Sequence, residues 1–512
     1  MAPCDTHTEG RNHEMTQTSD IRVRMAPGPT GAFHIGRTRA AIVNWIFARH
    51  NRGTFVLRIE DTDVERSRPE HLQSILDSLR WLGLNWDEGP EVGGPFAPYF
   101  QMGRLDSYAE YCDRLLGSGH AYKCYCTTQE LDAFRRQAEQ ERRPFRYPGT
   151  CRNLSAEEQR TKEAEGLRAA VRLRVPDDGE TSWDDLILGR ISYHNDEIGD
   201  FVIRRSSGIP LYNFTVTIDD LTMKITDVIR GQDHISNTPK QILIYRALGV
   251  EPPAFGHVPL MVSSEGAKIG ARFGASAVVD LADMGYLPEA VFNYMATLGI
   301  SYEADSDIFS RDEIIRLFDI DHVSRSPAVF DAEKLDWMNG VYIRNLSLGD
   351  FVQRCLPFLQ ARGLVSSTPS DDELAYVSRA LSLEQERVRT LAQAPEAVEF
   401  FVTDHLDYDP ALLIVKKSSL EDARTILEAA EDLCRTAEFE AGDLDKEFRA
   451  LTERLGLKTG IVFGTVRVAV TGRIAAPPLF DTLAALGRER VLKRLGAARR
   501  ELSRWGETPP VQ

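Results

Sequence analysis

The run Pro27-Gly28-Pro29-Thr30-Gly31 restricts the fold of this chain more than any other stretch. Two prolines and two glycines so close together extend neither a strand nor a helix interior, so the run is a turn. Before it, residues 21–26 alternate apolar and charged side chains in the manner of a short strand. After it, residues 36–50 place Ile42, Trp45 and Ile46 at helical spacing. Residues 54–60 (TFVLRIE) read as a second strand and residues 70–84 as a second amphipathic helix. Strand, helix, strand, helix implies a parallel, doubly wound α/β sheet of the Rossmann-like kind.

At 512 residues the chain is too long for one core and divides into about three or four domains. Residues 1–20 have no apolar run and carry Asp5, Glu9 and Glu14, so they read as a disordered tail rather than a signal peptide. Residues 21–115 form the first half of the α/β domain. Residues 116–198 change character, with CYC at 124–126, a charged helical run and the strand-like AAVRLRV at 169–175, and read as an inserted α+β subdomain. The α/β pattern resumes over 199–252 and passes through a linking region, 253–330, into a wholly helical half, 331–512. No apolar run reaches the roughly 20 residues that a membrane span requires. Seven cysteines, few and odd in number, suit a reducing cytoplasm. The formal charge of −16 does not exclude a nucleic-acid partner, because such contacts need one basic face rather than a basic chain.

His34-Ile35-Gly36 opens the first helix directly after the turn. Unpaired N–H groups and the helix dipole favour a phosphate there, His34 can donate to its oxygens, and Gly36 lets a base or ribose come close. An ordinary strand-to-helix turn would look the same if the tripeptide stood alone. It does not stand alone. RMAPGPTGAFHIG at 24–36 is similar to the R-x-A-P-S-P-T-G-x-x-H-x-G signature of the glutamyl- and glutaminyl-tRNA synthetases. Further blocks follow in the same order: LRIEDTDVERS at 57–67, WLGLNWDEGP at 81–90, PLYNFTVTIDD at 210–220 and TDVIRGQDHISNTPKQILIYRALG at 226–249. DMGYLPEAVFNYMATLG at 283–299, SPAVFDAEKLDWMNGVYIR at 326–344 and residues 467–495 complete the series. The chain resembles a bacterial-type glutamyl-tRNA synthetase from about residue 21 to 500. A helical second half, in place of β-barrels, argues for the glutamyl rather than the glutaminyl branch.

The resemblance implies a two-step ligase of protein biosynthesis working in the cytoplasm, away from membranes and as a monomer. ATP, with Mg²⁺, and L-glutamate would give glutamyl-adenylate, and the glutamyl group would pass to the 3′ end of tRNA-Glu, with tRNA-Gln also open. It makes residues 116–198 an acceptor-binding subdomain and 331–512 an anticodon-binding region, where Arg387 and Arg389 are candidate contacts; a solvated helix face explains these two nearly as well. It assigns Arg24, Ala26, Glu60, Tyr212 and Arg230 to glutamate, with Glu60 holding the α-ammonium. It assigns His34, Gly36, Asp233, Lys268 and Ile269 to ATP, and makes His34, Gly36, Lys268 and Arg272 the catalytic set.

The chain departs from the family pattern at three positions. Gly28 replaces a serine in the first signature, and in the second, Lys268-Ile269-Gly270-Ala271-Arg272, glycine and alanine replace a serine and a lysine. Removing one such charge-stabilising contact typically costs about 2.7–4 kcal/mol. A catalytically weak or silent paralogue that binds tRNA for a regulatory or biosynthetic role is therefore the alternative to a charging enzyme. In the insertion, Cys124, Cys126 and Cys151 with Tyr147 resemble the zinc site of some family members. Three free thiols in a zinc-less insertion is the other reading.

Overall fold

The computed structural model describes residues 21–263, 265, 277–303 and 305–507. Two compact units emerge: the chain up to Asp280 together with Phe292–Asp331, and Leu281–Val291 together with the chain from Ala332. Among the described residues no helix is long and apolar enough to cross a membrane.

The first unit begins with β1 (Arg22–Met25), α1 (Ile35–His50), β2 (Thr54–Leu57) and α2 (Pro69–Trp81). β1 and β2 pair in parallel, Val23 opposite Phe55 and Met25 opposite Leu57. Both strands are covered on both faces, the normal fate of a parallel strand. The strand expected over 54–60 ends at Leu57. Beyond it the Arg58 and Glu60 N–H groups bond to the Met25 and Pro27 carbonyls, so the chain follows the turn instead of extending the ladder. The expected helix over 70–84 stops three residues early, at Leu82-Gly83-Leu84, where Gly83 has φ +68°.

After α3 (Leu105–Gly117) the chain enters the insertion: β3 (Ala121–Cys124), α4 (Thr128–Gln140), α5 (Ala156–Ala164), β4 (Ala170–Leu173), β5 (Glu180–Asp185), β6 (Gly189–His194), α6 (Asn195–Ile198) and β7 (Val202–Arg204). β3, β4 and β7 form an antiparallel sheet, and β5 with β6 a hairpin. Capping boxes at Thr127 and Ser155 start α4 and α5, so these polar helices begin without apolar packing to define their ends.

The α/β core resumes with α7 (Tyr212–Thr222), β8 (Asp227–Gly231), α8 (Thr238–Leu248) and β9 (Ala254–Val258), the two strands again parallel. β8 joins β1 at one end only: the Thr226 N–H donates to the Arg22 carbonyl at 2.9 Å. Further along, the Ile229 carbonyl instead accepts from the Asn44 side chain of α1 at 2.8 Å. The two halves of the sheet thus open at the C-terminal ends of their strands, where a doubly wound sheet places its ligand. A last parallel pair, Met261–Val262 with Ala328–Val329, closes this side of the unit.

The second unit is helical from Ala332–Arg344 to Arg488–Glu507. Its core includes Phe351, Leu359, Leu381, Phe401, Leu427, Phe448 and Leu495, all fully buried. Arg387 and Arg389 are exposed as expected, yet they lie on the turn after the helix Asp371–Ser382, not on a helix face.

Candidate active site

Between the two halves of the sheet lies a cavity of about 1010 Å³. It is lined by Arg24, Ala26, His34, Gly36, Glu60, Tyr212, Arg230 and Asp233, so eight residues expected at the site from separate blocks meet in one place. Lys268, Ile269 and Arg272, with Gly270 and Ala271, lie outside the described residues.

β1 and β2 deliver the charged floor. Arg24 donates from Nε and Nη2 to the two carboxylate oxygens of Asp220 on α7, at 3.0 and 3.3 Å. Arg58, fully buried, donates to Asp220 at 2.7 Å and to Glu60 at 3.3 Å, with Asp219 3.5 Å away. Asp219 also accepts from Gln101, Arg104 and Tyr108 at 2.6–2.9 Å. Three arginines (24, 58 and 104) therefore face three carboxylates (219, 220 and 60), and the set is close to neutral.

Arg230, at the end of β8, has no such partner. Its Nη2 donates to Thr238 Oγ1 at 2.7 Å and its Nε to His257 Nε2 at 3.2 Å, while its buried Nη1 has no hydrogen-bond partner among the described residues. No carboxylate pairs with it there. Burial holds its guanidinium below the ordinary arginine value. A buried arginine without a counter-ion is costly unless an anion completes it, and here the cavity supplies the space. Across the same cavity, burial drives the Glu60 carboxyl up to about 7, against the pull of Arg58 and Arg24 and with the push of Asp220 and Asp219. Buried cations without a carboxylate (Arg230, and Arg39 of α1, whose Nε and Nη2 have no partner among the described residues) and a partly satisfied anion in a single cavity suit a zwitterionic ligand with an additional carboxylate.

Tyr212, at the start of α7, places its hydroxyl 3.0 Å from His234 Nδ1. Burial and the Arg230 charge bring His234 down to about 4, so it is neutral and can accept. At the other end of the cavity, His34 occupies the N-cap of α1 in extended backbone without capping its own helix, and its ring is exposed. Gly36 is open towards the cavity, since a Cβ built there meets nothing within 4 Å. A helix N-terminus with an exposed histidine and an unobstructed glycine suits phosphate and nucleoside. At Gly28 a Cβ would come 3.2 Å from the Glu60 carbonyl oxygen, so glycine allows the turn to lie close to the Glu60 backbone.

The chain matches the family model of class I tRNA synthetases (E and Q), catalytic domain, over residues 20–337, and an anticodon-binding-domain model over 350–499. The glutamate–tRNA ligase of Symbiobacterium thermophilum is 45% identical over 478 residues, covering 93% of this chain and 99% of that one. That of Roseiflexus castenholzii is 45% identical over 485 residues, covering 93% and 96%. This chain belongs to the glutamyl-tRNA synthetase family. A glutamate–tRNA ligase from Elizabethkingia meningosepticum, solved in complex with its amino acid, superposes with a TM-score of 0.86 at 30% identity, covering 94% of this synthetase and all of that chain. A second, from Elizabethkingia anophelis, gives 0.84 at 31% identity.

The other candidate centre of this synthetase is in the insertion. The sulfurs of Cys124, Cys126 and Cys151 lie within 4.8 Å of one another. The Tyr147 hydroxyl stands 3.5 Å from Cys124 Sγ and 3.4 Å from Cys126 Sγ. Hydrogen bonds from Cys151, Tyr147 and Arg172 outweigh burial and favour the Cys124 thiolate. Three sulfurs and a phenol this close together are four donors of the number and kind that a zinc site uses.

Several charged residues behind the cavity wall were missed in the sequence. Arg58 directly follows the apolar strand β2 and Asp219-Asp220 sit on the apolar helix α7, and buried charge of that kind is itself a signal. His257 and Asp185, which stand behind Arg230, gave none.

Proposed function

We propose that this synthetase activates L-glutamate with ATP and transfers it to the 3′ end of tRNA-Glu, with tRNA-Gln the second acceptor to be tested. The observation that carries the reading is Arg230, a buried cation with no carboxylate of its own, facing Glu60 across one cavity. Arg230 binds a carboxylate of the substrate, Glu60 its α-ammonium, and Tyr212, Ala26 and Arg24 shape the space between. ATP, entering as its Mg²⁺ complex, lies over Gly36 with its phosphates at His34 and the α1 N-terminus, beside Asp233. Lys268, Ile269 and Arg272, outside the described residues, serve the ATP phosphates as the resemblance implies. A carboxylate oxygen of glutamate attacks the α-phosphorus and pyrophosphate leaves; a ribose hydroxyl of tRNA then attacks the acyl carbon and AMP leaves. The protein's contribution is alignment and charge stabilisation, as expected for phosphoryl chemistry.

The insertion receives the acceptor end of tRNA, and Cys124, Cys126, Cys151 and Tyr147 hold a zinc ion that ties β3 to the 147–151 loop. The helical region, with Arg387 and Arg389, reads the anticodon. The chain acts as a monomer in the cytoplasm. The deciding experiment is glutamate-dependent ATP–pyrophosphate exchange with tRNA-Glu and tRNA-Gln supplied separately. Exchange well above a His34→Ala control supports the reading, and none above it leaves a tRNA-binding paralogue.

A further inference from the structure

Behind Arg230 stands a chain of side chains that the reaction above does not use. Asp185, the last residue of β5 in the insertion, accepts from His257 Nδ1 at 2.5 Å. It also accepts from the Trp183 indole at 3.2 Å and from the backbone N–H groups of Ile187, Leu188 and His257 at 3.0–3.1 Å. Burial alone would raise its carboxyl, but the His257 contact and these backbone donors bring it down to about 2. His257, fully buried on β9, places Nε2 at 3.2 Å from Arg230 Nε and 3.0 Å from Thr238 Oγ1. Thr238 Oγ1 in turn accepts from Arg230 Nη2 at 2.7 Å.

These contacts are consistent with one arrangement of protons. Arg230 Nε–H can only donate, so His257 Nε2 must accept. Nε2 has a lone pair only when the ring proton is on Nδ1, which is where the Asp185 carboxylate demands it. Burial and the Arg230 charge, opposed by Asp185, keep the imidazole below its ordinary range, so the ring stays neutral. Thr238 accepts from Arg230 and donates to the same Nε2. Arg230 is then pinned through Nε and Nη2, and Nη1 is left without a partner among the described residues.

We propose that Asp185, His257 and Thr238 are positioning residues for the amino-acid subsite: Asp185 sets the His257 tautomer, and His257 with Thr238 locks the Arg230 guanidinium in its carboxylate-binding pose. The inserted segment thereby contributes a residue to the glutamate site of the α/β core. The inference rests on the reading of Arg230 as the carboxylate-binding group.

The test compares His257→Asn, His257→Gln, Asp185→Asn and Arg230→Ala in the full-length protein by exchange kinetics with tRNA present, measuring KM for glutamate and for ATP. Asparagine can keep the donor to Asp185 but has nothing at Nε2. Glutamine places an oxygen near Nε2. Asparagine at 185 can donate to His257 Nδ1 and so reverse the tautomer. Expected are a rise of about tenfold or more in glutamate KM for His257→Asn and Asp185→Asn, an ATP KM within about twofold, and substantial recovery in His257→Gln. Thr238→Val, which leaves the histidine in place, should raise glutamate KM several-fold and covers the case in which a His257 variant does not fold. Unchanged glutamate KM in His257→Asn, or in Thr238→Val where that variant stands in, while Arg230→Ala raises it, would overturn the positioning role and leave the site intact. Unchanged KM in Arg230→Ala would overturn the site assignment as well.

Discussion

On the proposed reading of the site, Glu60 is the group that makes glutamate binding depend on pH. Burial brings its carboxyl up to about 7, with Arg58 and Arg24 pulling down and Asp220 and Asp219 pushing up. The sign follows directly. The ionised carboxylate balances the substrate's α-ammonium and the protonated acid does not, so glutamate binding weakens as pH falls through 7. With only the ionised form competent, kcat/KM for glutamate drops about tenfold between pH 8 and pH 6. Bound ammonium pulls the Glu60 pKa down in turn, so glutamate binding near neutrality releases a proton. Glu60→Gln removes a charge-assisted contact worth about 1.5–3 kcal/mol, which raises glutamate KM by about 10- to 150-fold and abolishes the slope between pH 6 and 8. The assay is ATP–pyrophosphate exchange across that range, with calorimetry in buffers of different ionisation enthalpy to count the proton. A flat wild-type profile, or a slope that survives in Glu60→Gln, would refute the argument.

Further expectations concern the scaffold around this site. Asp219→Ala takes from Arg104 its carboxylate partner and from Gln101 and Tyr108 their acceptor and should cost about 3–5 kcal/mol, a fall of about 4–7 °C in Tm by calorimetry, part of which Asp219→Asn restores. Metal analysis of protein purified without chelator should find one zinc per chain, lost in Cys151→Ser together with thermal stability of the insertion; metal-free wild-type protein would refute the site. Gly270→Ser combined with Ala271→Lys returns a cation to the second signature, and single-turnover activation should speed up by tenfold or more. Unaltered kinetics would mean that Lys268 and Arg272 already suffice.

The candidate site was legible in the sequence where chemistry and spacing fall in one segment. His34 and Gly36 follow a turn that only a strand-to-helix junction explains, and Glu60 and Arg230 sit at strand ends inside recognisable blocks. The three cysteines carry metal-ligand spacing. What was not legible is which charges neutralise each other. Arg24 looked like a free glutamate-binding cation, yet two of its nitrogens are committed to Asp220, 196 residues away. Arg230 looked the same and has no carboxylate partner among the described residues.

The sequence by itself determined the alternation of strands and helices, the helical second half and the membership of the synthetase family, because these depend on local periodicity and on short motifs. The tertiary structure decided which of the arginines carry a carboxylate partner, that burial pushes the Glu60 carboxyl up, and that Asp185 of the insertion reaches His257 behind Arg230. Electrostatic balance depends on distance and burial, and neither can be read from separation along the chain. The strand–turn–helix at residues 22–50 announced a nucleotide-binding enzyme. The packing of α7, β8 and the β5–β6 hairpin around it chose which charges neutralise each other.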